Sequence, residues 1–126
     1  MKYIVVIHSN AATGELFASM SDEQRQRAFQ SYFDIQSDLE QSGELIDSKA
    51  LAEREQHIVT RGANGPVITD APLPELTEVI SGYYLVEVAG LDRAAEIAAR
   101  FPEAEVEGGI RVVRTLTAED FAAMGF

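Results

Sequence analysis

The chain predicts an α+β fold: a ferredoxin-like, antiparallel β-α-β-β-α-β sheet carrying an extra hairpin. Three observations predict it. The element order reads strand, helix, strand, then a hairpin excursion, then strand, helix, strand. The first strand, residues 2–8, is a β-branched run without polar alternation, as a strand buried on both faces is. The two helices carry one apolar face each, so they cover one side of the sheet.

The elements follow in order. Residues 2–8 form a continuous apolar run, which reads as a central strand rather than the core of a signal peptide, because no small-residue cleavage site follows. Ser9 to Met20 reads as a polar loop around Gly14. Ser21-Asp22-Glu23-Gln24 fits a capping box with two acids in the first turn. Behind it Ala28, Phe29, Tyr32, Phe33, Gln36 and Leu39 repeat at helical spacing, and Gly43 supplies the left-handed stop. Glu44 to Leu51 reads as an irregular connection and Glu53 to Arg61 as the second strand, polar enough for a sheet edge. Asn64-Gly65 marks a hairpin turn into Val67-Ile68-Thr69.

The loop from Asp70 leads to Gly82–Val88, the most strand-like stretch of the chain. Leu91-Asp92 opens a second helix, capped by Asp92 or a neighbour. Its buried side is Ala94, Ala95, Ile97, Ala98 and Phe101, and Pro102 ends it. Gly108-Gly109 turns the chain into a last strand, Ile110 to Leu116, and Thr117 caps one final turn.

Composition bounds the function. A chain of 126 residues is one domain, spanning 1–126, with room for a proper core. It has no cysteine, which excludes disulfides, thiolate nucleophiles and cysteine-ligated metal sites. Two histidines among scattered carboxylates make a poor transition-metal site, so no metal and no cofactor is expected. The net charge of −11 repels phosphate backbones, which argues against nucleic acid as a partner. No apolar run approaches the roughly 20 residues of a membrane span. A cytoplasmic location is the expectation. Since both helices lie on one side, the apolar second face of the sheet needs covering, and a second copy placed face to face does it. A homodimer is therefore expected.

At Val67-Ile68-Thr69-Asp70-Ala71-Pro72-Leu73 the chain resembles the YCII-related proteins, in the branch with the Asp-Gly-Pro-Phe (DGPF) motif. Met1-Lys2-Tyr3, Arg61, Glu75 and Glu78, Gly82 to Val88, Leu91-Asp92, Ala94-Ala95 and Arg111 to Arg114 carry the likeness along nearly the whole chain. It departs at Ala71, Leu73 and Ser81, where glycine, phenylalanine and glycine are usual. The resemblance implies the dimeric α+β barrel. It also implies, more loosely, a small-molecule elimination reaction with a His–Asp pair, or association with a sigma factor.

Topology gathers candidate residues. If the first strand points up, His8 is at its upper end, Arg61 tops the second strand, and Tyr83 starts the third from the same end. The loops on either side bring Asp70 and Glu75 there too. Asp70 and His8 have the parts of an acid–base pair, a carboxylate orienting an imidazole. Arg61 and Tyr83 would hold a small polar or aromatic substrate, and His57, sharing a strand face with Val59 and Arg61, would line the dimer cavity. Plainer roles stand beside each. Asp70 before Ala-Pro fits an Asx turn, the commoner fate of a turn aspartate. His8 and His57 fit inert strand positions, Arg61 a surface ion pair, and Tyr83 a core or interface residue. The two functions that follow are a cofactor-free small-molecule enzyme and a non-enzymatic ligand- or protein-binding regulator.

Overall fold

β1 (Lys2–Ser9) takes the centre of the sheet because its alternate side chains are apolar on both sides. The computed structural model describes residues 1–70 and 79–126. Among these, four strands form one antiparallel sheet in the order β2-β5-β1-β6, with β2 at Leu45–Ala50, β5 at Val79–Glu87 and β6 at Ile110–Arg114. β1 and β2 both run antiparallel to β5, so they run the same way, as a crossover through a helix requires. This is the expected ferredoxin-like arrangement.

Tyr3, Val5 and Ile7 of β1 face the helices, beside Val86, Tyr84 and Gly82 of β5. Against them pack α2 (Asp22–Ser42) through Ile35 and Leu39, and α3 (Leu91–Ala98) through Ala94, Ile97 and Ala98, with Phe101 just beyond. Fully burying each large apolar side chain contributes about 1.5–3 kcal/mol. Ile4 and Val6 of β1 point to the other face, beside Leu85, Tyr83, Val113 and Arg111.

Four local expectations are corrected. Ser9 to Met20 is not all loop: α1 (Ala11–Ala18) lies within it, capped by Asn10, whose side chain and that of Thr13 bond each other's backbone amides. The second sheet strand is Leu45–Ala50, not Glu53 to Arg61. It is a short polar edge strand with a bulge between Leu45 and Asp47, which breaks the alternation a strand is recognised by. The Glu53 to Arg61 stretch supplies β3 (His57–Gly62), which pairs only with β4 (Gly65–Asp70) as a separate two-stranded hairpin among the described residues. β5 starts at Val79 rather than Gly82, because a bulge at Ile7/His8 lets it continue pairing with His8 and Ser9.

Helix α2 begins at Ser21 with both capping-box bonds in place and ends at Gly43, φ 79°. Its apolar stripe is split, however. Ala28, Ile35 and Leu39 are buried, while Phe29 and Phe33, one step round the helix, are 61% and 71% exposed. On α3, Ala95 is exposed, and the N-cap is Gly90 without a side-chain bond rather than Asp92. A 3-10 turn, Pro102–Glu105, follows α3, and α4 (Ala118–Ala123) starts from a Thr117–Asp120 capping box, as expected.

Candidate functional site

Where β1 ends, the helix-facing side of the sheet runs out of large side chains. Gly82 of β5 lies between Ile7 of β1 and Ala50 of β2 in register. A side chain at Gly82 would begin 3.1 Å from the carbonyl of Lys49, so the position is held small by its neighbour strand. The space this leaves under the middle of α2 is a cavity of about 560 Å³, of the size that small-molecule sites have.

Each wall has an origin in the chain. α2 contributes Phe29, Tyr32, Phe33 and Gln36, the part of its apolar stripe that does not reach the sheet. Gln36 is fixed by the Ser48 hydroxyl at 3.2 Å, which ties α2 to β2. α1 contributes Phe17, whose carbonyl accepts from Arg25 Nε at 3.2 Å. Ile7, Ser48, Lys49, Ala50, Ser81, Gly82 and Tyr84 form the sheet side, and Glu53 lies at the segment after β2. The rings of Tyr32 and Tyr84 both pack on Phe101, with centroids 6.2 and 4.9 Å away.

Glu103 is the one buried acid among the described residues that line the cavity, at 6% exposure. Pro102 sets the turn that presents it, and Gly109 packs so closely beneath that an added Cβ would sit 2.1 Å from the Glu103 carbonyl oxygen. The carbonyl of Gly109 in turn accepts from the His8 amide at 2.9 Å. Tyr32 donates to Glu103 Oε2 at 2.6 Å, and Oε1 has no hydrogen-bond partner among the described residues. Burial pushes the carboxyl up, against the opposing hydrogen bonds from Tyr32 and from the backbone of Glu103 itself, and the negative charge of Glu53 adds to the rise. Burial also raises Tyr32, with the hydrogen bond and charge of Glu103 adding to it.

The five residues singled out in the sequence are distributed differently. His8 is buried at the β1 bulge. Asp70 ends β4 with a 96% exposed side chain and faces His57, whose Nδ1 is 3.5 Å from its carboxylate. The imidazole that Asp70 meets is thus across the hairpin. Arg61 pairs with Pro66 near the hairpin tip, four residues from His57 on the same strand and so about 13 Å from it. It does not top a sheet strand, because β3 is not in the sheet. Tyr83 points away from the cavity and donates to Asp47 Oδ2 at 2.7 Å, beside the Lys49–Asp47 ion pair. Ala71, Pro72, Leu73, Glu75 and Glu78 lie outside the described residues.

Glu103 and Phe33 were legible only in part. The 102–105 segment reads as a helix end, and nothing local marks its acid as buried. Among the described residues no cluster of three or more metal-ligating side chains occurs, and no helix is long and apolar enough to cross a membrane.

The profile of the YCII-related domain matches residues 1–118. The chain belongs to the YCII-related family. Among curated proteins none matches it. Of the family's 118 matched residues, those around the cavity, from Ile7 to Glu103, all fall inside the match.

Proposed function

We propose that this YCII-related protein is a homodimer that binds a small aromatic molecule at the upper end of each sheet. The observation that carries the reading is the cavity under α2: aromatic on the helix side, small-residued on the sheet side, with one buried carboxyl. Phe29 and Phe33 support it, since two phenylalanines this exposed are poorly used without something to cover them. The second copy is supported by the sheet's other face, where Ile4, Val6, Leu85 and Val113 lie together, and by a hairpin whose strands are exposed at every position but Gly62.

Cofactor-free proton transfer is the finer form of the reading, with Asp70 and His8 as the pair that the DGPF-type motif suggests. His8 directly follows Ile7, a wall of the cavity, while Asp70 ends β4 opposite His57. A thermal-shift screen of phenols, aromatic acids and aromatic amines tests the binding, because a ligand of the native state raises the melting temperature. Phe33→Ala should remove the shifts of the hits; shifts that survive it place the ligand elsewhere. Asp70→Asn tests the chemistry: full turnover of an identified substrate by that variant excludes the acid–base pair.

A further inference from the structure

Glu103 is a carboxyl in a place that disfavours its charge, with half of its hydrogen-bonding capacity unused. One oxygen is taken by Tyr32 and the other has no partner among the described residues. A buried polar atom without a partner is penalised by its lost hydration, and a ligand that supplies the missing donor removes that penalty. Resting on the small-molecule reading above, we propose that Glu103, with the rings of Tyr32, Phe29 and Phe33, forms a recognition site for a small organic cation: an amine on an aromatic or alkyl body.

Charge selects the cation over an acid or a neutral donor. The acids lining the cavity are Glu103 and Glu53; Lys49 also borders it, but it lies opposite Tyr83 in register, on the strand face turned away from the cavity. Lys49 is already held by Asp47 at 2.5 Å. An incoming carboxylate would therefore meet like charge, while an ammonium would neutralise a buried carboxylate and donate to Oε1 in one contact. The aromatic wall works in the same direction, since ring faces attract cations as well as apolar carbon. The field of a chain with net charge −11 concentrates cations at its surface. Lining of 14 described residues with five aromatic rings, Phe17, Phe29, Tyr32, Phe33 and Tyr84, accounts for the apolar body.

The groups that face Glu103 are Tyr32 from α2, Tyr84 from β5 and Glu53 from the segment after β2. Tyr32 and Tyr84 are both raised, chiefly by burial, so they stay neutral wherever Glu103 titrates. Ionised Glu103 holds the ammonium and protonated Glu103 does not, so amine affinity should fall as the pH drops through the carboxyl's raised pKa.

Calorimetric titration of the full chain with phenethylamine, 2-phenylethanol and phenylacetate tests this. The amine should bind at least about tenfold tighter than the alcohol, with phenylacetate weakest. Glu103→Gln keeps an acceptor for Tyr32 and should erase the amine preference while leaving the alcohol within about twofold. Tyr32→Phe, which keeps the carboxylate, should retain the preference. Phe33→Ala, at an exposed position, should weaken amine and alcohol alike. An amine preference that survives Glu103→Gln, or phenylacetate binding tightest, overturns the assignment. If the alcohol binds with no preference for the amine, the cation site fails and the aromatic pocket stands. If none of the three binds, both fail.

Discussion

Tyr32 Oη and Glu103 Oε2 lie 2.6 Å apart, joining the middle of α2 to the turn after α3 across 71 residues of sequence. This bond closes the inner wall of the cavity. Tyr32→Phe would leave the buried carboxyl without its side-chain partner, and should destabilise the fold by about 1–3 kcal/mol. Urea unfolding of the two proteins at neutral pH measures it.

The same carboxyl gives stability a pH dependence of known sign. Its folded pKa lies above the unfolded one, so between them the native state holds more protons than the unfolded state. The stability of the wild type is thus fully present below the unfolded carboxyl pKa and is lost as pH rises through the folded one. Glu103→Gln cannot ionise. The variant should gain on the wild type as pH is raised from about 4, below the ordinary glutamate value, to about 7. Parallel denaturation curves at the two pH values check it, and a constant difference between the proteins would contradict the raised pKa.

Gly109 and Gly14 should respond to alanine in opposite directions. A Cβ at Gly109 would fall 2.1 Å from the backbone oxygen of Glu103, so either β6 or the 102–105 turn must shift. Overpacking of that kind destabilises by about 1–3 kcal/mol, and here it would displace the acid from the cavity as well. Gly14 lies inside α1 with nothing within 4 Å of an added Cβ. There alanine should stabilise by about 0.5–1 kcal/mol through helix propensity. Thermal unfolding of both variants is the comparison.

How much of this was legible follows from where the information resides. The capping boxes at Ser21 and Thr117 and the glycine stop at Gly43 are local signals, read within four residues, and each formed as expected. α1 was missed because Thr13 rather than Glu or Gln completes its box, and Gly14 looks like a loop residue. β2 was missed because a bulged edge strand, one side on solvent, need not alternate. That error moved β3 into the sheet and carried Arg61 with it. Strand direction alone places the C-terminal ends of β1 and β2 and the start of β5 at one end of the sheet. What direction could not supply was the face: Tyr83 and Tyr84 are neighbours in sequence, yet Tyr84 lines the cavity and Tyr83 bonds Asp47 on the other side. Burial of Glu103 depends on Tyr32 and Gly109 at once, and no single window of sequence contains all three.

The proposed dimer places the face bearing Ile4, Val6, Leu85 and Val113 against its counterpart. Val113 is 48% exposed in the single chain, so a charge there does little to the fold of one copy. Placed at a two-fold interface, it would meet its own repeat. Val113→Lys should keep the far-ultraviolet circular dichroism spectrum and shift the mass by light scattering from two chains to one. A variant still at dimer mass would move the interface off this face, and a wild type already monomeric at high concentration would remove it.

Glu44 and Arg93 make an ion pair suited to an acid-unfolding test. Arg93 donates through Nε to Glu44 Oε2 at 2.9 Å and through Nη2 to Oε1 at 2.8 Å, a two-point fork. Arg93 thereby holds the Glu44 carboxyl down at about 2, with Ser42 helping. The pair also links α3 to the start of β2, where the Glu44 carbonyl accepts from the Glu87 amide at 2.8 Å. A depressed folded pKa reverses the sign seen at Glu103. The contribution is present above the unfolded carboxyl value and is lost as pH falls through the folded one, between about 4.5 and 2. Because Arg93 is more than a third exposed, solvent screening reduces the gain to about 1 kcal/mol. Glu44→Gln should therefore lower stability at pH 7 by that amount and match the wild type near pH 2, as read from urea unfolding across the range. A variant that tracks the wild type at every pH would show the fork to be without energetic effect in solution.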